Sequence, residues 1–222
     1  MKREKILVIS DLHLTTNFIK KKYNFLEKLI LNADKVVING DFWSYYYNTF
    51  DEFLSTNWKG LFPLLLEKET VYVYGNHDQG KWSDERVKRF SVVQGNDYLL
   101  KTGGKKYLLT HGHLLLDNKS IEDENFTSFW RKYHVDVIKY FVEAFFLRTI
   151  GRTFYLFAKK FNDGPREMAK KRKDIDFLVI GHLHWSELDR KNKFINTGLI
   201  HAGVADYLII EDGEPKIVNT RY

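Results

Sequence analysis

Six of the eight histidines of this 222-residue chain fall in short polar clusters, each placed directly after an apolar run. In chain order the clusters are SDLHL (Asp11, His13), NGD (Asp41), GNHD (Asn76, His77, Asp78), THGH (His111, His113) and GHLH (His182, His184). Asp, His and Asn without Cys suit a borderline divalent ion such as Mn, Fe or Zn better than an all-oxygen calcium or magnesium cage. The donors outnumber the positions of one ion, so two ions sharing one carboxylate is the economical reading. Asp41, alone in its cluster, is the candidate bridge. Two such ions about 3.5–4 Å apart activate a water and clamp the attacking and leaving oxygens of a phosphoryl displacement. Each cluster alone has a plainer reading: GD is a turn, and HGH is a surface pair. The weight lies in five of them in this order, each closing an apolar run.

The elements that must position these residues can be read from periodicity. KILVIS, KVVIN and TVYVY are short apolar runs and read as buried strands. Between them, NFIKKKYNFLEKLILN and TFDEFLSTNWKGLFPLLLEK have helical spacing, the second broken near Gly60-Leu61-Phe62-Pro63. This β-α-β-α-β order implies a largely parallel sheet covered by helices, with ligands gathered at the carboxyl ends of its strands. Alternate residues of an extended segment share a side, so D-x-H and H-x-H pairs can each address one site. WSDERVKRF reads as a short helix capped by Ser83 or Asp84, and DYLLKTGGKKYLLT as a hairpin. DFLVIG, KFINTG and the two halves of DYLIIEDGEPKIVN read as further strands.

Residues 115–173 differ. From Asn125 to Phe161 apolar residues recur at helical spacing on more than one face, including Phe129, Trp130, Tyr133, Tyr140 and Phe141. The net charge of +6 is concentrated at the end of this segment, where Lys159–Lys173 holds seven basic residues against two acidic ones. We read 115–173 as a helical insertion, a lid or lipid-binding cap, within a single domain spanning 1–222. Its basic end is either a solvated helix terminus or a contact for an anionic surface. With no cysteine, disulfides and thiolate chemistry are excluded. No signal-peptide pattern and no uncharged apolar stretch of about 18 residues is present, which points to the cytoplasm, with a peripheral contact on the inner face of the membrane.

The ordered set D-x-H, GD, GNHD, H-G-H, G-H-x-H, spread from Asp11 to His184, resembles that of the calcineurin-like metallophosphoesterases. The resemblance implies an α/β fold, a four-layer α/β/β/α sandwich of two mixed sheets. It implies that Asp11, His13 and His184 hold one ion with bridging Asp41, and that Asn76, His111 and His182 hold the other. It makes His77 the acid beside the leaving oxygen and Asp78 the residue that orients it. His113 becomes a surrounding residue, and His201, in NTGLIHAG after a late strand, is a second candidate for that role by its position. The cofactor implied is a pair of divalent ions, manganese first, with iron or zinc as alternatives. The reaction is then hydrolysis of a phosphoester or pyrophosphate bond by a hydroxide bridging the two ions.

Within that family, the UDP-2,3-diacylglucosamine hydrolases of lipid A biosynthesis are similar in size and in carrying an aromatic, basic insertion between the last two motifs. By that resemblance the substrate is a nucleotide-linked lipid, with Phe129, Trp130, Tyr133, Tyr140 and Phe141 as substrate or lipid contacts; Trp43 is a further substrate-contact candidate because it sits beside Asp41 in sequence. Those enzymes usually carry Arg where this chain has His77, and GDLF or GDIF where it has GDFWSYYY. A broad-specificity phosphodiesterase or a nuclease is the alternative. Against nucleic acid as partner, the charge sits at one end of one segment rather than along a track. A non-catalytic scaffold of the same fold is the remaining reading, opposed by the intact motif residues.

Overall fold

The computed structural model describes residues 4–116 and 135–222, with side chains of the latter part described from Val142 onward. Strand β1 (Lys5–Ile9), helix α1 (Lys20–Leu31), β2 (Lys35–Asn39), helices α2 (Phe50–Ser55) and α3 (Phe62–Glu67) and β3 (Val71–Val73) follow the order read from the sequence. Pro63 opens α3 at a position where a missing N–H costs nothing, which explains the break before it. Thr49 and Glu52 form a capping box on α2. Short β4 (Val93–Gly95) leads to the hairpin β5 (Asp97–Thr102) and β6 (Lys105–Thr110). After the insertion come β7 (Phe177–Ile180), β8 (Glu187–Asp189), β9 (Phe194–Asn196), β10 (Ile200–His201), β11 (Val204–Glu211) and β12 (Glu214–Arg221).

The strands make two mixed sheets. One has seven strands in the order β10-β11-β1-β2-β3-β4, with β12 paired to β11; the other has five, β5-β6-β7-β9-β8. β1 to β4 run parallel, while β11 is antiparallel to β1. Side chains alternate across each strand, and the alternation sorts them into layers. Ile6, Val8, Val37, Val71 and Val73 face the second sheet's Tyr107, Leu109, Phe177, Val179 and Ile195. Their neighbours Leu7, Ile9, Val36, Ile38 and Tyr72 face α1, α2 and α3 through Leu26, Ile30, Phe53 and Leu65. On the far side of the second sheet, Leu178, Ile180 and Phe194 pack on Ala169 of the Asp163–Lys171 helix. Helices, sheet, sheet and helix thus form four layers.

In the insertion, residues 117–134 lie outside the described residues, and with them Phe129, Trp130 and Tyr133. The stretch read as continuously helical is, in its described part, a helix at Val135–Ile150 that stops where Gly151 takes φ +65°, followed by tight 3-10 turns over Gly151–Asn162. Glycine adopts that left-handed backbone without a Cβ penalty. Ala144, Leu147, Tyr155 and Ala158 pack on Leu199, Ala202 and Val204 at the β10–β11 edge of the first sheet. The opposite side stays open: Phe145 and Phe157 are each 61% exposed, and Ile150, Leu156 and Phe161 about as open.

Candidate metal centre

Each polar cluster begins where a strand ends, and in three of the five the backbone there is bent into an uncommon shape. Asp11, His13, Asp41, His182 and His184 all have φ between 45° and 64°. Non-glycine residues in the left-handed region are held there by their surroundings and cluster at functional sites. The holding groups are visible. Asp11 N donates to Gly40 O (3.1 Å), and both Leu12 N and His13 N donate to Asp41 O (2.9 Å each). His182 N donates to Asp11 Oδ2 at 3.0 Å, tying the last cluster to the first. Glycines allow the close approach: a Cβ on Gly75 would lie 2.1 Å from Asp41 Oδ1, and one on Gly181 2.6 Å from Asp11 Oδ2.

Side chains distant in sequence therefore converge. Asp11, His13 and His184 bring donor atoms within 4.8 Å of one another, as do Asp41, His111 and His182. A third such group, His13, Asp41 and His77, joins the two. Asp41 Oδ2 lies 3.1 Å from His111 Nε2 and 3.9 Å from His13 Nε2, so its carboxylate faces both halves. Asn76 Oδ1 is 3.2 Å from His111 Nε2, placing Asn76 in the second half. His184 Nε2 is 3.2 Å from Asp11 Oδ1 and 3.5 Å from His13 Nε2.

The electrostatics describe a site built for cations. Burial works against the charge on His111, but the Asp41 and Asp11 carboxylates outweigh it and hold its pKa up at about 10. A proton on His111 is the positive charge these carboxylates require when nothing else supplies one. For Asp41, burial favours the neutral acid, yet His111, His77 and His13 keep its pKa well below the usual carboxylate range. Burial, reinforced by the charge of His111, presses His182 down to about 3, and burial with His77 presses His13 well below its usual value. His13 and His182 are thus held in the neutral form that metal ligation requires, whereas, against the pull of burial, the carboxylates raise His111 and Asp11 raises His184. Asp11 Oδ1 and His13 Nδ1 are buried without a hydrogen bond. A buried carboxylate oxygen that faces only imidazole nitrogens, His184 Nε2 at 3.2 Å and His13 Nε2 at 3.9 Å, is costly unless a cation meets it, so this donor set fits a pair of divalent ions.

His77 stands at the rim of this cluster. Its backbone N–H donates to Asp41 Oδ1 (2.8 Å), and its Nδ1 meets Ser44 Oγ at 2.9 Å. The Tyr46 ring lies edge-on against it at 4.3 Å. Expected to orient His77, Asp78 does something else. Its fully buried carboxylate accepts from the N–H groups of Asp41 (3.1 Å), Phe42 (2.6 Å) and Gly75 (2.6 Å), clamping the two loops together. Burial and the Asp41 charge push its pKa up to about 7 against the lowering pull of Tyr72, the Gly75 N–H and His111. The partner at the His77 ring is Ser44, which sequence reasoning missed; a serine three places after Asp41 carries no signal of its own.

The remaining expected residues are spread more widely. His113 is buried, its ring 5.6 Å from that of His111 and 6.3 Å from that of His182. His201 is buried on β10 and acts electrostatically on His13. Trp43 is fully buried, its ring stacked on Phe53 at 5.8 Å and tilted against Phe50. It fills the core behind the site and presents no surface to a substrate. Tyr140 and Phe141 fall within the Val135–Ile150 helix, at positions whose side chains lie outside the described residues. One insertion residue does reach the cluster: the Tyr155 ring meets His184 edge-on at 4.8 Å, and its hydroxyl donates to Glu143. Among the described residues, no helix is long and apolar enough to cross a membrane.

The family model described as calcineurin-like phosphoesterase matches residues 4–186. Among solved structures, an archaeal phosphodiesterase is 16% identical, with a TM-score of 0.50 over 97% of this chain and 99% of that one. Two others are similar at lower TM-scores. The E. coli phosphoesterase YfcE is 17% identical (TM-score 0.49, covering 93% and 87%). Vps29 of Entamoeba histolytica, solved as a zinc complex, is 16% identical (TM-score 0.46, covering 98% and 98%). No curated protein matches the sequence.

Proposed function

This chain belongs to the calcineurin-like phosphoesterase family and is a metal-dependent phosphoesterase, and from that premise we propose that it uses two divalent ions to hydrolyse a phosphodiester or pyrophosphate linkage, with a nucleotide-linked lipid as its preferred substrate. The observation that carries the dinuclear reading is the Asp41 carboxylate. It lies 3.1 Å from His111, forming one donor group with His111 and His182, and 3.9 Å from His13 of the other group, Asp11, His13 and His184. In this reading Asp11, His13 and His184 hold one ion, Asn76, His111 and His182 the second, and Asp41 both. When bound, the ions supply Lewis-acid polarisation of the phosphoryl oxygens and an activated water. Manganese is the ion of first choice, with iron or zinc as alternatives.

The chain's own residues do the rest. Asp41 fixes the spacing of the two halves, and Asp78 keeps the Asp41 and Gly75 loops from drifting apart. His77, held at Nδ1 by Ser44, turns Nε2 to the departing ester oxygen and gives it a proton. Its backbone bond to Asp41 Oδ1 sets the acid at a constant distance from the cluster, which general acid catalysis demands.

Two features support a lipid-bearing substrate. The segment that reaches His184 through Tyr155 also exposes Phe145, Leu156 and Phe157, large apolar side chains that an acyl chain could cover. The cluster Lys159–Lys173 lies beside it in sequence and suits an anionic membrane surface. We read 115–173 on this basis as a cap over the site. The test is a manganese-supplemented assay of UDP-2,3-diacylglucosamine against bis-p-nitrophenyl phosphate. A strong preference for the lipid, lost when Phe145 and Phe157 are changed to Ser, supports the full reading. Hydrolysis of the small diester alone would leave the metal chemistry and remove the lipid.

A further inference from the structure

One charged side chain near the cluster has no place in this chemistry. Lys22 lies on the buried stripe of α1, in register with Leu26 and Ile30, and is 3% exposed. Its Nζ donates to Leu12 O at 2.5 Å, the carbonyl between Asp11 and His13. Among the described residues it forms no ion pair. The carboxylate that acts on it electrostatically is Glu143, which is engaged by Tyr155. Buried lysines are rare unless something pairs with them.

Lys22 also lines a cleft, with His13, Thr15, Asn17, Trp58 and His201. The cleft is lined both by a metal-ligand candidate, His13, and by Ile19 and Lys22 at the start of α1. Its donors suit an anion. Thr15 Oγ1 accepts from Asn17 N at 3.2 Å, and its hydroxyl keeps a proton to donate. No side chain caps α1 at Ile19, and no acidic residue lies in its first turn. The first N–H groups of the helix are therefore left to other acceptors. A compact ammonium in such a setting is a point charge for a phosphoryl group.

We propose that this cleft is a subsite for a second phosphoryl group of the substrate, with Lys22 as its binding residue. The inference rests on the phosphoesterase reading and narrows it: the preferred substrate carries two neighbouring phosphoryl groups, one at the metal centre and one beside Lys22. A lysine that only tied down the Leu12 carbonyl would serve single-phosphoryl and double-phosphoryl ligands alike, and that difference makes the two roles separable.

The experiment is calorimetric binding of orthophosphate and of methylenebisphosphonate, which has two phosphoryl groups and no cleavable bridge, to the manganese-loaded protein. Wild type is expected to bind the bisphosphonate at least tenfold more tightly than phosphate. Lys22→Met should lower that ratio at least fivefold, and Lys22→Arg should keep most of it. An unchanged ratio in Lys22→Met, whether both ligands weaken together or neither does, overturns the subsite. Should Lys22→Met fail to fold, Thr15→Val at a half-buried position reads the same ratio, with about a threefold drop expected and no drop overturning the proposal. Bisphosphonate preference that depends on Lys22 in a protein inactive on every ester would keep the subsite and remove the catalytic reading.

Discussion

Replacing Lys22 by Met should change how stability depends on pH, and the size of the change follows from the burial of one amine. Burial pushes the Lys22 pKa from its ordinary 10.5 down to about 7, with Glu143 offsetting part of the effect. The folded value is depressed, so the unfolded chain binds the extra proton between those limits, and stability rises with pH across that window. Below pH 7 the amine is charged in both states and the full cost is carried. Each pH unit inside the window is worth at most about 1.4 kcal/mol. Between pH 7 and pH 9 the wild type should gain about 2 kcal/mol relative to Lys22→Met, in which no amine titrates. The side chain is almost wholly out of water, so solvent screening does not reduce this figure much. Urea unfolding of both proteins, metal-free, at pH 6, 7, 8 and 9 reads the double difference and cancels every other titrating group. Two curves parallel to within about 0.5 kcal/mol would refute the claim that Lys22 is a desolvated cation. The gain at high pH would show that folding desolvates the Lys22 charge; the role that charge serves is read by the phosphate and bisphosphonate ratio.

Three other outcomes are expected. His77→Ala should lower kcat by about 10²–10⁴ for an ester with an alkyl leaving group, and far less for p-nitrophenyl esters, whose leaving oxygen needs no proton. Equal losses on both would remove His77 as the acid. Gly75→Ala would press a Cβ into Asp41 Oδ1 and the Asp41 N–H. It should cost about 1–3 kcal/mol in denaturant unfolding and weaken metal binding with it. Because the Asp41 and Asp11 charges hold the His111 pKa up at about 10, the metal-free site carries a proton there at pH 8. Manganese should displace it, releasing about one proton per site, measured by calorimetry in buffers of different ionisation enthalpy. Uptake without proton release would contradict that reading.

Much of the fold was legible because strand ends and cluster starts coincide. KVVIN became β2 without a residue's change, and the two-residue alternation of β1 to β3 fixed which side chains face the second sheet. β4, β8 and β10 are two or three residues long and pair at edges or in short extensions, too brief for a periodic signal. The candidate donors could be singled out from type and order alone, since each sits beside a strand end. What the neighbours of those residues do depends on directions that sequence adjacency does not give. Asp78 follows His77 but points back to the Asp41 loop, and Ser44, distant in sequence, takes its place at the imidazole. Tyr155 reaches His184 only because Gly151 turns the chain. Lys22 did leave a trace: a lysine in phase with Leu26 and Ile30 is out of place on an apolar stripe.

The central claim is that Asp41 bridges two ions. Anomalous diffraction at the manganese edge from crystals of the manganese-loaded protein tests it directly. The account predicts two peaks about 3.5–4 Å apart, one among Asp11, His13 and His184, one among Asn76, His111 and His182, with Asp41 touching both. A single peak, or two peaks of which Asp41 touches only one, would contradict it.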